Sequence, residues 1–279
     1  MAGARVRIRD GKVEVLTEPA IRSCPLRQDL YGIKIESKET VKRVLEEHMA
    51  ELGMYGPKRV LELENKPVSF GASEILSDAL SEGLIDAAVL VCEGAGTVVA
   101  TKPEVLQAIG AHMTGLVGTE PIEEIQEGLE ERGCILIDRQ GTVDQIQGFE
   151  RAVDAGYRRI AVTVAGDRAD DARTLRKIKS DLSAEATILA VHTTGISESE
   201  AQVLAECCDL VWSCASRAVR KAAGGKALIQ IGIAIPVFAF TPTGKRLILN
   251  RAMHFSGQLV LHRAGLPVAP EGKQPEPLV

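Results

Sequence analysis

The strongest constraint on the fold comes from a short apolar run, Ala87 to Val91, that shows no alternation of apolar and polar residues. An uninterrupted run of this length is typical of a strand buried on both faces of a parallel sheet. The run ends in Cys92-Glu93-Gly94-Ala95-Gly96, which places a thiol and a carboxylate beside two glycines. Glycine lets the chain turn tightly or lets a ligand approach the backbone. The sequence therefore predicts a core strand with a candidate site at its carboxyl end.

From about residue 70 onward, apolar runs alternate with segments of helical periodicity. Such alternation favours right-handed crossovers and a mainly parallel sheet. We expect an α/β fold with helices on both faces of the sheet, a three-layer sandwich. A distorted (β/α) barrel is the alternative, because seven or eight strands are nearly enough to close one. The runs that predict strands lie at 87–91, 134–137, 160–164, 188–191, 210–212, 228–233 and 237–240, with a short one near Leu116.

The first 66 residues lack this alternation and are expected to form a separate layer. Arg5 to Leu16 predicts a hairpin, with Asp10-Gly11 suited to a type I′ turn. Lys38 to Leu52 predicts a helix with an apolar stripe. We therefore divide the chain into an N-terminal hairpin-plus-helix layer at 1–66, an α/β core domain at 67–263 and a proline-rich tail at 264–279. The composition of the tail predicts disorder.

Charge and composition exclude several classes of partner. The formal net charge is -5 and aromatic residues make up 3% of the chain, so neither nucleic acid nor an anionic membrane surface is expected to bind. The uncharged run from Ala227 to Gly244 approaches membrane-spanning length, but Gln230 and two prolines favour two core strands. Six cysteines and a first segment without an apolar stretch predict a cytoplasmic protein with reduced thiols.

The position of each cysteine relative to its strand predicts its edge of the sheet. In both candidate architectures, ligands bind at the carboxyl ends of the strands. Cys92, His192 and Cys214 each follow a predicted strand, so we expect them at this edge, together with Glu93. Cys214 also precedes a predicted helix, whose N-terminal dipole favours a thiolate.

The remaining cysteines are sorted by the same rule. Cys134 begins its strand, whereas Cys207 and Cys208 precede theirs, so all three are expected at the opposite edge. The strand between Cys208 and Cys214 would separate them by roughly 15 Å, at ~3.3 Å per residue. Cys24 has no strand to place it and is compatible with either edge.

Two loops at the carboxyl edge are candidates for close contact with a cofactor. The glycines after Cys92 resemble part of a phosphate-binding loop, although the third glycine of a dinucleotide fingerprint is lacking. The residues after His192 precede a predicted helix N-terminus, where backbone amides hold anions. The plainer explanation is turn and capping chemistry. The candidate cofactor-binding residues are Gly94, Gly96, Thr193, Thr194 and Gly195.

Two kinds of chemistry are compatible with the edge residues. Cys92, Cys214 and Cys24 are candidate thiolate ligands of an iron–sulfur cluster or another metal. Alternatively, Cys92 or Cys214 is a nucleophile, with Glu93 and His192 as acid–base groups. The simplest explanation is that small thiols are merely buried. No Cys-x-x-Cys occurs, which argues against a zinc knuckle or a ferredoxin-type cluster.

Six stretches together form a recognisable pattern: Ser23 to Leu26, Val91 to Val99, Ile160 to Gly166, Ala190 to Ser197, Cys208 to Arg220 and Ile229 to Phe238. This pattern resembles methanogenesis marker protein 8, a family of archaeal proteins of unassigned molecular function. The resemblance implies a cytoplasmic protein linked to methane metabolism, through the maturation or activity of methyl-coenzyme M reductase or its nickel tetrapyrrole. It carries no catalytic residues over to this chain, and it covers most of 5–250.

These observations lead to three hypotheses. The first is a small-molecule or metal-centre enzyme, or a maturation factor, that uses cysteines at the carboxyl edge of the sheet. The second is a non-catalytic module that docks on a methanogenic enzyme complex through the hairpin and the helix at 38–52. The third is an anion- or phosphate-binding enzyme. An oligomer is compatible with all three.

Overall fold

The computed structural model describes residues 1–112, 114–178 and 183–279. Within these ranges the helices are α1 (Pro25–Tyr31), α2 (Lys38–Leu52), α3 (Ala72–Ser81), α4 (Pro103–Gly110), α5 (Glu123–Glu131), α6 (Gln145–Asp154), α7 (Ala169–Ile178), α8 (Glu198–Cys207), α9 (Arg217–Ala223) and α10 (Pro242–His254). The strands are β1 (Val6–Arg9), β2 (Lys12–Val15), β3 (Ala87–Cys92), β4 (Gly96–Ala100), β5 (Ile135–Leu136), β6 (Arg159–Ala165), β7 (Glu185–Val191), β8 (Leu210–Trp212), β9 (Ile229–Ile231) and β10 (Val237–Ala239).

One large sheet organises the described part of the chain, with strand order β5-β4-β3-β6-β7-β8-β10-β9. The central strands β3, β6, β7 and β8 are parallel. Strand β4 pairs antiparallel with β3, and β10 pairs antiparallel with β8. The sheet is open, with β5 and β9 at its edges. The predicted α/β architecture with helices on both faces is therefore confirmed, and the barrel alternative does not form.

Two apolar cores lie on opposite faces of this sheet. Helices α3, α4, α5 and α10 contribute to one core, and α6, α7, α8 and α9 to the other. Strand β3 shows why its sequence is apolar throughout. Ala88 and Leu90 belong to the first core, whereas Ala87 and Val89 belong to the second. A strand covered on both faces has no position left for a polar side chain.

The N-terminal hairpin and helix form as predicted. Strands β1 and β2 pair antiparallel, and the turn residues Asp10 and Gly11 have φ values of 48° and 69°. Positive φ at both turn residues defines the type I′ turn that matches strand twist. Val13 packs against Val41 and Leu45 of α2. The buried side of the predicted helix therefore faces the hairpin.

Two local predictions differ from the structure. Residues 96–100 form β4, which folds back on β3 so that Cys92 pairs with Gly96. No strand was predicted for this segment. No strand forms among the described residues around Leu116, which instead lines a cavity. No helix in the described ranges is both long and apolar enough to cross a membrane.

The tail at 264–279 makes defined contacts, although its composition predicted disorder. The backbone N–H groups of Arg22 and Ser23 donate to the carbonyl of Glu276 at 2.6 and 3.1 Å. At the other end, the N–H of Val279 donates to Ala215 O at 2.9 Å. The tail therefore connects the segment before α1 with the loop between β8 and α9. The division at residues 66 and 263 stays a prediction.

Candidate functional site

A cavity of about 910 Å³ opens at the carboxyl ends of the central strands. Ala165, Val191 and Trp212 line it from the ends of β6, β7 and β8. A volume of this size accommodates a drug-sized ligand or an organic cofactor. Its position agrees with the rule that open α/β sheets bind ligands beyond the carboxyl ends of their strands.

His192 follows β7 directly and lines the cavity. Its side chain is exposed to the open cleft, yet protein surrounds its other sides, and this partial desolvation lowers the imidazole pKa to about 4. The negative charge of Asp167 acts in the opposite direction. The imidazole is therefore neutral at neutral pH and able to accept a proton. The backbone of His192 has a φ of 55°, which is uncommon for a residue with a side chain.

Cys214 lies in the turn between β8 and α9 and also lines the cavity. Its φ of 43° is, after that of His192, the second positive value at the cavity wall for a residue with a side chain. Backbone strain of this kind clusters at active sites and ligand clamps. The carbonyl of Cys214 accepts a hydrogen bond from Arg220 Nη2 at 2.9 Å, which holds the turn against α9. The strained strand–turn–helix unit thus presents a half-buried thiol to the cleft.

Thr193 and Thr194, which follow His192, connect the turn after β7 with the turn after β8. Thr193 is fully buried, and its hydroxyl donates to Trp212 O at 2.6 Å. The hydroxyl of Thr194 accepts from the N–H of Ala215 at 3.3 Å. Gly195 lines the cavity with a φ of 80°, and a Cβ there would meet nothing within 4 Å. The two threonines therefore fix the register of the loops, and Gly195 leaves open space at the wall.

Cys92 is the last residue of β3 and Glu93 follows it, but neither lines the cavity. Cys92 is completely buried, and burial, followed by the charge of Glu93, raises its pKa well above the ordinary value. Glu93 is 1% exposed and forms an ion pair with Arg59, Nε to Oε1 2.7 Å. The N–H of Tyr55 donates to the same carboxylate oxygen at 3.3 Å. A sealed ion pair thus occupies the end of β3.

The two glycines of the β3–β4 hairpin are enclosed by protein. Gly94 and Gly96 have φ values of 77° and 76°. A Cβ at Gly94 would lie 2.9 Å from Ile122 Cβ, and one at Gly96 would collide with the carbonyl of Thr142. The space that a glycine leaves open at these two positions is filled by the chain's own backbone and side chains. Their predicted role in cofactor binding stays untested.

The predicted metal ligands occupy three different surroundings. Cys214 lines the cleft, Cys92 is sealed in the core, and Cys24 is buried against Ile21 and Ala215. Burial raises the pKa of the Cys24 thiol. In the described ranges, no group of three or more His, Cys, Asp or Glu side chains is arranged to hold a metal ion. The metal hypothesis therefore stays a prediction.

Of the described residues that line the cleft, five are acidic, and the reasoning from sequence chose none of them as a site residue. Asp167 follows β6 by two residues, and the strand-end rule applied to Ile160–Val164 would have found it. Glu74 lies in the first turn of α3, far from any strand end, so no comparable signal was present. Trp212 was recognised as a strand residue, but its side chain also lines the cleft, with Nε1 donating to Phe70 O at 2.9 Å.

The fold and cleft define an open α/β sandwich with a ligand-sized cavity at its carboxyl edge. The chain belongs to the family described as "Uncharacterized protein conserved in archaea (DUF2099)", whose model matches residues 1–253. A protein of Methanocaldococcus jannaschii, named "Uncharacterized protein MJ0054", is 37% identical over 279 residues, which are 99% of this chain and 96% of that protein. The archaeal family is thereby shown, whereas the name methanogenesis marker protein 8 stays a resemblance.

A solved structure with a similar outline is a xenon-derivatised F420-reducing NiFe hydrogenase complex from Methanosarcina barkeri. The TM-score is 0.39 at 12% identity, covering 69% of this chain and 74% of that chain. A likeness at this level supports no argument about the present protein.

Proposed function

We propose that this archaeal protein is an enzyme that binds a small organic molecule in the carboxyl-edge cleft and acts on it through the Cys214 thiol. One observation carries the proposal. Three consecutive parallel strands, β6, β7 and β8, are followed by Asp167, His192 and Cys214, and all three residues line the same cavity. Carboxylate, imidazole and thiol are the groups of an activated cysteine nucleophile.

In the proposed reaction the neutral imidazole of His192 takes the proton of the Cys214 thiol. The thiolate then attacks an electrophilic carbon of the bound molecule, and a carbon–sulfur bond forms. The leaving group departs with the electron pair of its own bond and receives the proton from His192. Asp167 is a positioning residue, because its charge favours the protonated form of His192.

Alkylation by iodoacetamide, followed by digestion and mass spectrometry, tests the role of the thiol. We expect Cys214 to be alkylated at pH 7, and His192→Gln to slow its reaction by about tenfold or more. Cys207, which is half-buried and lies outside the cleft, is the internal control and should keep its rate. Equal Cys214 rates in wild type and His192→Gln would reject the acid–base assignment.

The resemblance adds a setting for this chemistry: a cytoplasmic protein of methane metabolism, acting on a cofactor or metal centre of the methyl-coenzyme M reductase system. The thiolate-metal version of the proposal uses Cys214 with Cys92 and Cys24. Anaerobic purification followed by iron, zinc and sulfide analysis tests it. Stoichiometric metal that is lost in Cys92→Ala and Cys214→Ala alike would favour this version over a free nucleophile.

Docking on such a complex through the hairpin and α2 is the non-catalytic alternative. Deleting this layer is a poor test, since Arg59 from the same part of the chain neutralises the buried Glu93. Reversing exposed charges, as in Arg9→Glu with Lys12→Glu, leaves the core intact. Unchanged association of this variant with purified methyl-coenzyme M reductase would argue against docking through the hairpin.

A further inference from the structure

The charge of the cleft differs from that expected of a phosphate-binding site. Among the described residues that line it, five carry carboxylates and one carries a guanidinium. The guanidinium of Arg168 is itself paired with Asp171, Nε to Oδ2 2.9 Å. His192 adds no positive charge at neutral pH, because its pKa is about 4. The third hypothesis, an anion-binding enzyme, is therefore disfavoured by the electrostatics of the wall.

Glu74 is the most informative of these carboxylates. It is 1% exposed, and a buried carboxylate normally has a cationic partner. In the described ranges, Glu74 forms no ion pair and is held by neutral donors. The donors are the Ser73 hydroxyl at 2.9 Å, the Gln107 amide at 3.2 Å and the N–H of Val68 at 3.3 Å. No cationic side chain of the described residues is thus paired with this carboxylate in the cleft wall.

Two further carboxylates at the wall form no ion pair within the part of the chain that the structure describes. Asp29 before the end of α1 and Asp167 after β6 are exposed, and neither forms a hydrogen bond or ion pair among the described residues. Glu200, by contrast, accepts from the N–H of Ser197 at 2.7 Å in the capping box of α8. Asp29, Glu74 and Asp167 therefore define the charge that a ligand meets.

The rest of the wall is apolar and aromatic. Phe70, Trp212, Ile231 and Val237 line the cavity, and the indole N–H is already bound to the backbone. With its N–H already bound, Trp212 offers a ligand only apolar and π contact. Aromatic faces attract organic cations, by about 0.5–2 kcal/mol per contact. An apolar body and a positive charge are the two properties that this wall can recognise together.

We infer that the ligand of the cleft is an organic cation with an apolar body, such as a substituted amine, whose charge is neutralised by Glu74 and Asp167. The inference rests on the proposed function, because it names the substrate class of the same site. Its basis is the set of carboxylates without an ion pair in the described ranges and the aromatic wall, and it needs no assumption about the reaction.

Methanethiosulfonate reagents of different charge test the inference at the Cys214 sulfur. We would compare the neutral methyl reagent, the cationic trimethylammonium-ethyl reagent and the anionic sulfonatoethyl reagent, in a Cys207→Ala background. Each rate is divided by that of N-acetylcysteine. We expect the cationic reagent to be favoured over the anionic one by about tenfold at low salt, with the preference falling at 0.5 M salt.

Charge-removing variants identify the source of the preference. Glu74→Gln and Asp167→Asn should each reduce the cation preference by about two- to threefold. Asp170→Asn is the matched control, because Asp170 is exposed on α7, pairs with Arg173 and does not line the cleft. Asp167→Asn keeps the test decisive if the buried Glu74→Gln variant fails to fold.

The outcomes separate the two proposals. If the neutral reagent reacts but the cationic reagent is not preferred, or if the preference persists in Asp167→Asn and in folded Glu74→Gln, the cation inference is wrong and the thiol enzyme stands. If the neutral reagent also fails to reach Cys214, the proposed function fails, and the inference fails with it.

Discussion

The ends of β3 and β8 carry the same kind of residue in opposite surroundings. Cys92 is completely buried beside the Arg59–Glu93 ion pair, whereas Cys214 is half-buried and lines the cleft. The difference lies in the element that comes after each strand. Strand β3 leads into a hairpin that returns into the sheet, whereas β8 leads into a helix. A hairpin fills the strand end with backbone, and a crossover leaves a cleft beside it.

The largest expected effect of this difference concerns the sealed ion pair. Replacing Arg59 by Met leaves the Glu93 carboxylate buried without its cation, which costs about 3–5 kcal/mol of unfolding free energy. Urea denaturation measures the change. Arg7→Met, at an exposed ion pair with Glu14, is the control and should cost less than about 1 kcal/mol. A small effect at Arg59 would mean that the end of β3 is not sealed.

Alanine substitutions at Gly96 and Gly195 compare how crowded the loops after β3 and β7 are, because the two glycines have nearly equal φ values. Gly96→Ala forces a Cβ into the carbonyl of Thr142, whereas Gly195→Ala meets open space. Both variants lose about 1–2 kcal/mol for the left-handed backbone, and Gly96→Ala loses at least about 1–2 kcal/mol more. Thermal or urea unfolding of both variants measures the difference. Equal losses of unfolding free energy in the two variants would contradict the enclosed packing of the β3–β4 hairpin.

The pH dependence of stability provides another comparison, between the buried His48 and the cleft residue His192. His48 is 3% exposed and contacts the rings of Tyr31 and His112, and burial lowers its pKa to about 4. The unfolded chain binds a proton near pH 6.5, whereas the folded chain does so only near pH 4. Stability is therefore full above pH 6.5 and falls as the pH drops toward 4, by up to about 3 kcal/mol.

In His48→Leu this part of the pH dependence should disappear, as measured by urea midpoints between about pH 7 and pH 4. His192→Gln should flatten the curve less, because its imidazole is exposed to the cleft. The exposed His262 supplies the control variant His262→Gln. Curves of His48→Leu and wild type that run parallel through this pH range would refute the assignment.

The smallest expected effect concerns the two thiols themselves. Cys92→Ala removes a fully buried sulfur and should cost about 1–2 kcal/mol through lost burial and a small cavity. Cys214→Ala removes a half-buried group and should change stability by less than about 0.5 kcal/mol. Differential scanning calorimetry resolves the two. The reverse order would mean that Cys214 is mainly a packing residue.

The layered fold was predictable because its strands are buried on both faces and their apolar runs are unmistakable. The strand-end rule also placed His192 and Cys214 on the cleft. It failed to separate Cys92 from them, because residues 96–100 carry no mark that distinguishes a returning strand from a loop. Arg59 and Glu74 were beyond prediction for a different reason. Their positions in the site depend on long-range packing that local patterns do not encode.

The location of Trp212 has a practical consequence. It is the only tryptophan of the sequence, and its ring lies on the wall of the cleft with its N–H bound to Phe70 O. Native emission therefore originates from this one wall, without contributions from other indoles. A change in its wavelength or intensity reports occupancy or hydration of the cleft directly, so no extrinsic dye is needed to follow binding.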